Sequence, residues 1–289
     1  MRRQLLVIGC GKLGSALVNE LWGAGWGVTA VSRCGTEYPT TICWDVPQIW
    51  PPSRRFAATI VAVPDHALPD VVRQLTTQPL QCPVVLHTAG ALPATALRGL
   101  PPKFAVGAMH PMCAVSGPRD PSPLIGALYA IGGEPEAVEM ARRLVADLKG
   151  ITLDIADEAR PSYHAAAALV ANDWVALFDA AESLADRAGL DRTAMRAGLL
   201  HLAQTALARI AGLDPTRPAI AGLTGAVERG DAATIASHLA ALRADKTGRA
   251  LHVAASKHLV ARLVAHNWLE PTQAAALTAA LASKPPLPV

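Results

Sequence analysis

Gln4-Leu5-Leu6-Val7-Ile8-Gly9-Cys10-Gly11-Lys12-Leu13-Gly14 is the stretch whose reading decides the fold. Its apolar run has the texture of a buried strand, and a G-x-G-x-x-G follows without a break. The first glycine permits a tight turn, the second lets backbone approach a pyrophosphate, and the third lets the next helix pack closely on the strand. Lys12–Leu21 reads as that helix, whose N-terminus offers unpaired N–H groups and the positive end of its dipole to an anion. Gly9, Cys10, Gly11, Lys12, Leu13 and Gly14 are therefore the expected contacts to a dinucleotide. The competing reading, a glycine turn with no ligand, is disfavoured by the second strand that ends at Val31.

The residues after that second strand bear on which nucleotide is bound. An NAD site places an Asp or Glu about 20 residues beyond the motif, where it accepts from the ribose hydroxyls. Here Ser32-Arg33 occupies the position, and no carboxylate follows before Glu37. A hydroxyl and a planar, bidentate guanidinium suit a 2′-phosphate, so NADP(H) is the expected cofactor. Val63-Pro64-Asp65 closes the next strand and is expected to border the same ligand, because ligands of open α/β sheets sit beyond the carboxyl ends of the strands. A proline there also serves simply to end a strand.

Working outward, short apolar runs alternate with helical segments through the first half. Strands are expected at Gln4–Ile8, Gly27–Val31, Ala57–Val63, Pro83–His87, Ala105–Ala108, Leu128–Ile131 and Ile151–Ile155, with helices at Asp65–Gln74 and Pro135–Leu148. That is the pattern of a parallel sheet covered on both faces. Beyond about Ala156 the texture changes to Ala/Leu stripes at three- and four-residue spacing, beginning with Ala166, Leu169, Val170, Trp174, Leu177, Phe178, Ala181 and Leu184. Gly189 is read as a helix stop, and Asp191 and Asp231 as N-caps. The expected architecture is α/β: an N-terminal doubly wound Rossmann-type sheet, residues 1–156, and an all-helical substrate and dimerisation domain, residues 157–289.

Composition narrows the function classes. The chain has 289 residues, 51% of them hydrophobic, and Lys+Arg 26 against Asp+Glu 23, a formal charge of +3. That excludes a disordered chain and leaves no basic stripe for a duplex, so no nucleic-acid partner is expected. Five cysteines with no C-x-x-C point to a reducing, cytoplasmic setting. Met1-Arg2-Arg3 and the run after it resemble a secretory leader, but the run is shorter than the roughly 7–15 apolar residues such a leader needs. No membrane span is expected either. With aromatics at only 4%, the core must be built mainly of Ala, Leu and Val.

Two histidines follow strand-like runs. His110 stands in Met109-His110-Pro111-Met112, and His87 in His87-Thr88-Ala89-Gly90, where Thr88 and Gly90 are further expected cofactor contacts. An imidazole there suits orienting a carbonyl or imine, or supplying the proton that accompanies hydride transfer. The plainer reading, favoured for His87, is a packed histidine bonded to backbone. Tyr163-His164 and Asn172 stand out in the helical half. His110, His164 and Asn172 are the catalytic candidates, although Asn172 equally suits an interhelical hydrogen bond. The remaining histidines share no carboxylate cluster, so no metal site is expected.

The order Gly9-x-Gly11-x-x-Gly14, Ser32-Arg33, Val63-Pro64-Asp65, His87-Thr88-Ala89-Gly90, Met109-His110-Pro111-Met112, Tyr163-His164-Ala165-Ala166 and Thr224-Gly225 through Arg229-Gly230-Asp231 resembles a family. It is the Rossmann-like NADP oxidoreductases with an all-helical C-terminal domain of unassigned role, relatives of pyrroline-5-carboxylate reductase and of the coenzyme F420-dependent NADP oxidoreductases. The resemblance implies an NADP(H)-binding domain, a helical domain that mediates homodimerisation, and an active cleft between them. The resemblance names no substrate; the leading expectation is NADPH-dependent reduction of a carbonyl or imine in a small, carboxylate-bearing molecule, with His110 or His164 helping with the proton and Arg160 or Arg119 as anion anchors. A cyclic imine reductase of the pyrroline-carboxylate type is the alternative within enzymes, and a non-catalytic NADP(H)-binding regulatory protein the alternative outside them. Relatives carry Ser where Ala89 stands and Lys where Arg160 stands. Arginine keeps the charge but is a poor proton donor.

Overall fold

The computed structural model describes residues 3–32, 41–43, 55–77, 80–118 and 122–283. They fall into two compact units that divide after Ala171. In the first, β1 (Gln4–Ile8), β2 (Gly27–Ser32), β3 (Thr41–Cys43), β4 (Ala58–Val61), β5 (Val84–His87), β6 (Ala105–Pro111), β7 (Leu128–Gly133) and β8 (Ile151–Asp154) form one sheet in the order β3-β2-β1-β4-β5-β6-β7-β8. Every adjacent pair is parallel except β6 and β7.

Both faces are covered, as expected of near-continuous apolar strands. One face carries α1 (Lys12–Gly23) and α3 (Pro135–Asp147), packed with Leu5, Val7, Val28, Leu86 and Ile131. The other carries α2 (Leu68–Thr77) and the 3-10 turn Ala94–Leu97 over Leu6, Ile8, Val61, Val85 and Val106. A fully buried leucine contributes about 1.5–3 kcal/mol, and Leu5, Leu6, Leu17, Leu21 and Leu86 are all at 0% exposure, so this two-faced core dominates the unit's stability.

Two expectations for the sheet need correction. Thr41–Cys43 is an additional edge strand, too short to announce itself by alternation. And β7 runs antiparallel to β6; the described residues between them, 112–118 and 122–127, hold no helix of the kind that carries a parallel crossover. The expected helix from Asp65 opens instead as a 3-10 turn, Asp65–Ala67, and α2 follows with Pro69 in its first turn, where a missing N–H costs nothing.

The first unit ends with α4 (Arg160–Ala171). The second holds α5 (Asp173–Arg187), α6 (Arg192–Ala211), α7 (Ala232–Ala241), α8 (Lys246–Ala265) and α9 (Pro271–Ala282). Its core joins Ile235 and Leu239 to Val260, Leu263, Leu277 and Leu281. Asp191 and Asp231 cap as expected, accepting from Ala194 N at 2.7 Å and Thr234 N at 3.0 Å, and Gly189 takes the left-handed conformation that ends α5, with φ +71°. No residue of α6 is buried. Among the described residues no helix is long and apolar enough to cross a membrane.

Candidate active site

A cleft of about 460 Å³ opens beyond the carboxyl ends of β1, β2 and β4. Strands β2 and β4 flank β1, so the strand order reverses here, the place where open α/β sheets bind ligands. Gly9, Cys10 and Gly11 line it from the turn after β1, Ser32 from the end of β2, and Val63 and Pro64 from the loop after β4.

The three glycines divide their tasks as the motif requires. Gly9 has φ +96°, and a Cβ there would lie 2.8 Å from Val63 Cγ1. Its N–H donates to Val31 O at 2.8 Å and ties the turn to β2. A Cβ on Gly14 would overlap the carbonyl oxygen of Gly9, so α1 can seat against β1 only if residue 14 is bare. Gly11 differs from both. Its φ of −70° suits any residue, and nothing lies within 4 Å of an added Cβ. Its bare Cα faces open space at the N-cap of α1, and no side chain caps that helix. The first-turn N–H groups of α1 thus remain available to an anion.

The other expected cofactor contacts are placed as follows. Lys12 is exposed, and Leu13 packs on the core beside α1. Asp65 is exposed at the start of its 3-10 turn and does not line the cleft. Cys10 lines the cleft, with Sγ 3.7 Å from Val31 O, and burial raises its pKa, which keeps it a thiol. Thr88 and Gly90 also lie outside the lining; Thr88 N donates to Val61 O at 3.1 Å, and Gly90 turns toward a separate cluster. Arg33 and Arg119 lie outside the described residues.

That cluster sits on the same edge of the sheet, at the ends of β5 and β6. Tyr163 Oη and His110 Nδ1 hydrogen-bond at 2.8 Å, and the His110 ring meets Tyr163 and His164 edge-on, each with centroids 5.6 Å apart. Tyr163 and His164 are the fourth and fifth residues of α4, and with Arg160 they stand on one helix face at i, i+3 and i+4. A Cβ on Gly90 would fall within contact of His164 Nδ1 and 2.8 Å from His110 Nε2, so the loop after β5 closes onto both imidazoles. Burial, with help from His164, Arg160 and His87, pushes His110 down to about 4, leaving a neutral ring with one accepting nitrogen. Burial raises the Tyr163 phenol, and Arg160 opposes it.

His87 is structural. It is 1% exposed; Nδ1 accepts from Ala89 N at 3.2 Å, which leaves Nε2–H to donate to Pro93 O at 3.0 Å. Burial pushes it down to about 4 as well.

Asn172 is not part of this cluster, and the buried polar pair expected of Asn172-Asp173 is not found. The apolar stripe that reads as one helix breaks here: α4 stops at Ala171, Asn172 is the exposed residue preceding α5, and its carbonyl accepts from Val175 N at 3.0 Å. Arg160 also departs from expectation. It is wholly buried, at 0% exposure, and so presents no guanidinium to a ligand. Its ion-pair partner is Asp157, 3.6 Å from Nε, and Asp157 itself accepts from Ala94 N at 2.9 Å. Neither the Tyr163 bond nor the Arg160 burial is signalled locally in sequence, since the first depends on His110, 53 residues away, and the second on Gly132 of β7, 28 residues away.

A second cavity, of about 530 Å³, lies at the start of β6 and the carboxyl ends of β7 and β8 and is lined by Arg98, Glu134, Asp154 and Asp157 among others. Its carboxylates are engaged: Glu134 accepts from Val106 N, Asp154 pairs with Arg142, and Asp157 accepts from Ala94 N. Among the described residues no group of three or more His, Cys, Asp or Glu is placed to hold a metal ion.

Comparison with known proteins agrees with this architecture. A Bacteroides fragilis protein described as an NADP oxidoreductase superposes with a TM-score of 0.70 at 22% identity, covering 89% of this chain and 98% of its own. An imine reductase from Pseudomonas sp. gives 0.60 at 18% over 97% and 100%. Pyrroline carboxylate reductase of Plasmodium falciparum, solved with NADP bound, gives 0.56 at 14% over 89% and 99%. At such identities the likeness establishes the fold. No curated protein matches the sequence. Residues 1–111 match the Rossmann-like domain model and residues 127–259 match a domain of unknown function, DUF2520, so the chain is a Rossmann-like domain followed by a DUF2520 domain.

Proposed function

We propose that the first unit binds NADP(H) and that the chain is a reductase acting on a carbonyl or imine of a small molecule. The observation that carries the reading is Gly11. Neither backbone conformation nor packing demands glycine there, and a pyrophosphate drawn to the N-terminus of α1 would account for the bare Cα. Gly9, Cys10 and Gly11 would hold the phosphates through backbone N–H groups. Ser32, with Arg33 after it, favours a 2′-phosphate over a free ribose hydroxyl. When bound, the nicotinamide supplies a hydride.

The chain's own part is the proton. Tyr163 and His110 share a hydrogen bond at the same sheet edge, and the neutral imidazole keeps an acceptor beside the phenol, so the pair can hold and pass a proton at Tyr163 Oη. His164, exposed and edge-on to His110, would connect the pair to solvent. A carboxylate on the substrate fits the name of the Plasmodium neighbour, and a cyclic imine fits both reductases.

Titration with NADPH and NADH, then NADPH oxidation over a panel of keto acids and cyclic imines, tests the reading. NADPH should bind at least tenfold more tightly than NADH, Arg33→Ala should abolish that preference, and His110→Ala should lower turnover about 10²-fold or more while leaving affinity intact. Failure to bind either nucleotide would end the proposal. Tight binding without turnover across the panel would favour a regulatory NADP(H)-binding protein.

We further propose that the helical part of the chain, expected over residues 157–289 and described as a compact unit only from Asn172 on, serves substrate binding and dimerisation. The support is α6, which exposes Leu200, Leu202, Leu207 and Ile210 and buries none of its residues, leaving apolar side chains that a second copy could cover. Light scattering should give a dimer mass, and Leu202→Glu with Leu207→Glu should give a monomer; a native monomer at micromolar concentration would refute it.

A further inference from the structure

The loop after β5 is fastened at three places, and each fixes something different. At its start Thr88 N donates to Val61 O at 3.1 Å, which ties it to the end of β4. Across its middle the His87 ring accepts from Ala89 N at 3.2 Å and donates to Pro93 O at 3.0 Å, so one imidazole sets the shape of residues 89–93. At its end Ala94 N donates to Asp157 Oδ1 at 2.9 Å. Of the three, only this last bond joins the loop to the segment that carries Tyr163 and His164.

Asp157 opens the 3-10 turn Asp157–Ala159, and α4 begins at the next residue, Arg160. Its carboxylate serves another turn, 63 residues away: Ala94 is the first residue of Ala94–Leu97, and Pro93 before it supplies no side-chain cap. The bond is charge-assisted, and so roughly twice as strong as a neutral one. The start of α4 is seated separately. Arg160 lies over β7, where a Cβ on Gly132 would come 3.2 Å from Nη2. Arg160 thus sets α4 against the sheet, and Asp157 sets the loop against α4.

Between the fastened ends stands Gly90. It is not among the glycines with positive φ, so its backbone conformation does not call for glycine. Contact does: a Cβ would fall against His164 Nδ1 and 2.8 Å from His110 Nε2. The bare Cα is the surface against which both imidazole edges pack.

We infer that Asp157 is a positioning residue of the candidate site: by accepting Ala94 N–H it fastens the loop after β5 to the start of α4, and so holds Gly90 against His110 and His164. His87 shapes the loop, and Asp157 places it. The importance of that placement rests on the reading of Tyr163, His110 and His164 as the group that handles the proton. The test reads a contact in the protein without cofactor or substrate, so its failure would leave NADP(H) binding and reduction standing.

The experiment is NMR on the full-length chain, measuring nuclear Overhauser contacts from the Gly90 α-protons to the His110 and His164 rings together with amide exchange at Ala89. Asp157→Ala and Asp157→Asn both remove the charge beside Arg160, and only asparagine keeps an oxygen for Ala94 N–H, so their difference isolates the bond. Ala94→Pro deletes the donor and leaves the Asp157–Arg160 pair intact, at the first position of a helical turn where the φ of proline fits; it carries the test if Asp157→Ala does not fold. Asp157→Ala and Ala94→Pro should weaken the Gly90–His164 contact at least about fivefold, with Ala89 exchange within about twofold of native because His87 still clamps the loop; Asp157→Asn should keep more than about half of the contact. A contact absent from the native chain, or undiminished in folded Asp157→Ala or Ala94→Pro, overturns the inference. So does an equal loss in the alanine and asparagine variants. Loss of Ala89 protection together with the contact overturns it as well, since Asp157 would then support the fold of the loop and not its placement.

Discussion

Gly14→Ala is expected to destabilise the first unit by about 3 kcal/mol and to abolish nucleotide binding, whereas Gly11→Ala, three residues away, should leave stability within about 0.5 kcal/mol and weaken NADPH binding at least tenfold. The contrast follows from what each missing Cβ would meet. At Gly14 the obstacle is the carbonyl oxygen of Gly9, with Ala62 Cβ 3.3 Å away. That carbonyl cannot rotate aside, because Gly9 is itself held at φ +96° and bonded to Val31 O. Relief requires α1 to lift from β1, which would loosen Ala16, Leu17 and Leu21 from the core and move the N–H groups that would meet the phosphates. At Gly11 nothing stands within 4 Å, so a methyl group costs the folded chain little and obstructs only a ligand. Chemical denaturation and NADPH titration of the two variants separate these effects. Equal affinity in native and Gly11→Ala proteins would remove the main support for the cofactor reading.

The same residues show why the turn was legible in sequence while the histidine cluster was not. Gly14 is constrained by Gly9, five residues away in the same turn, and Gly11 opens onto free space, so the spacing of the motif carries that information even though Ala62 and Val63, which crowd Gly9, come from the loop after β4. The caps at Asp191 and Asp231 were readable for the same reason, since donor and acceptor are three residues apart. The Tyr163–His110 bond joins residues 53 apart, and nothing near either names the other. Arg160 is harder still. Arginines are almost never fully buried, and the trough that admits this one exists only when Ala108 and Gly132 come into register across β6 and β7. The break at Asn172 was hidden by the stripe of apolar residues, which continues across it and registers only period, not continuity.

Acidification should destabilise the first unit between pH 6.5 and 4, with His87 alone contributing about 3 kcal/mol. His87 falls from 6.5 to about 4 on folding because burial penalises the imidazolium, and its geometry enforces the same preference: Nδ1 must accept from Ala89 N–H, which a protonated ring cannot do. The sign follows from proton counting. Between pH 6.5 and 4 the unfolded chain holds a proton on this residue that the folded chain rejects, so stability is fully present above pH 6.5 and is lost as pH falls through the window. His110 falls to about 4 too and adds in the same direction. The helix-capping carboxylates Asp231 and Asp245, in the second unit, behave oppositely: bonds from Thr234 and Gly248 lower them below 3.8, so their contribution is lost only as pH falls beneath that value. Hydrogen exchange in rising urea, read on peptides covering β4 and β5 from pH 7.5 to 4.5, isolates the first unit. His87→Gln, whose amide can still donate to Pro93 O without titrating, should flatten the profile by roughly half. A native profile already flat across this window would mean that the two imidazoles take up their protons without cost, and the neutral cluster at the ends of β5 and β6 would have to be abandoned.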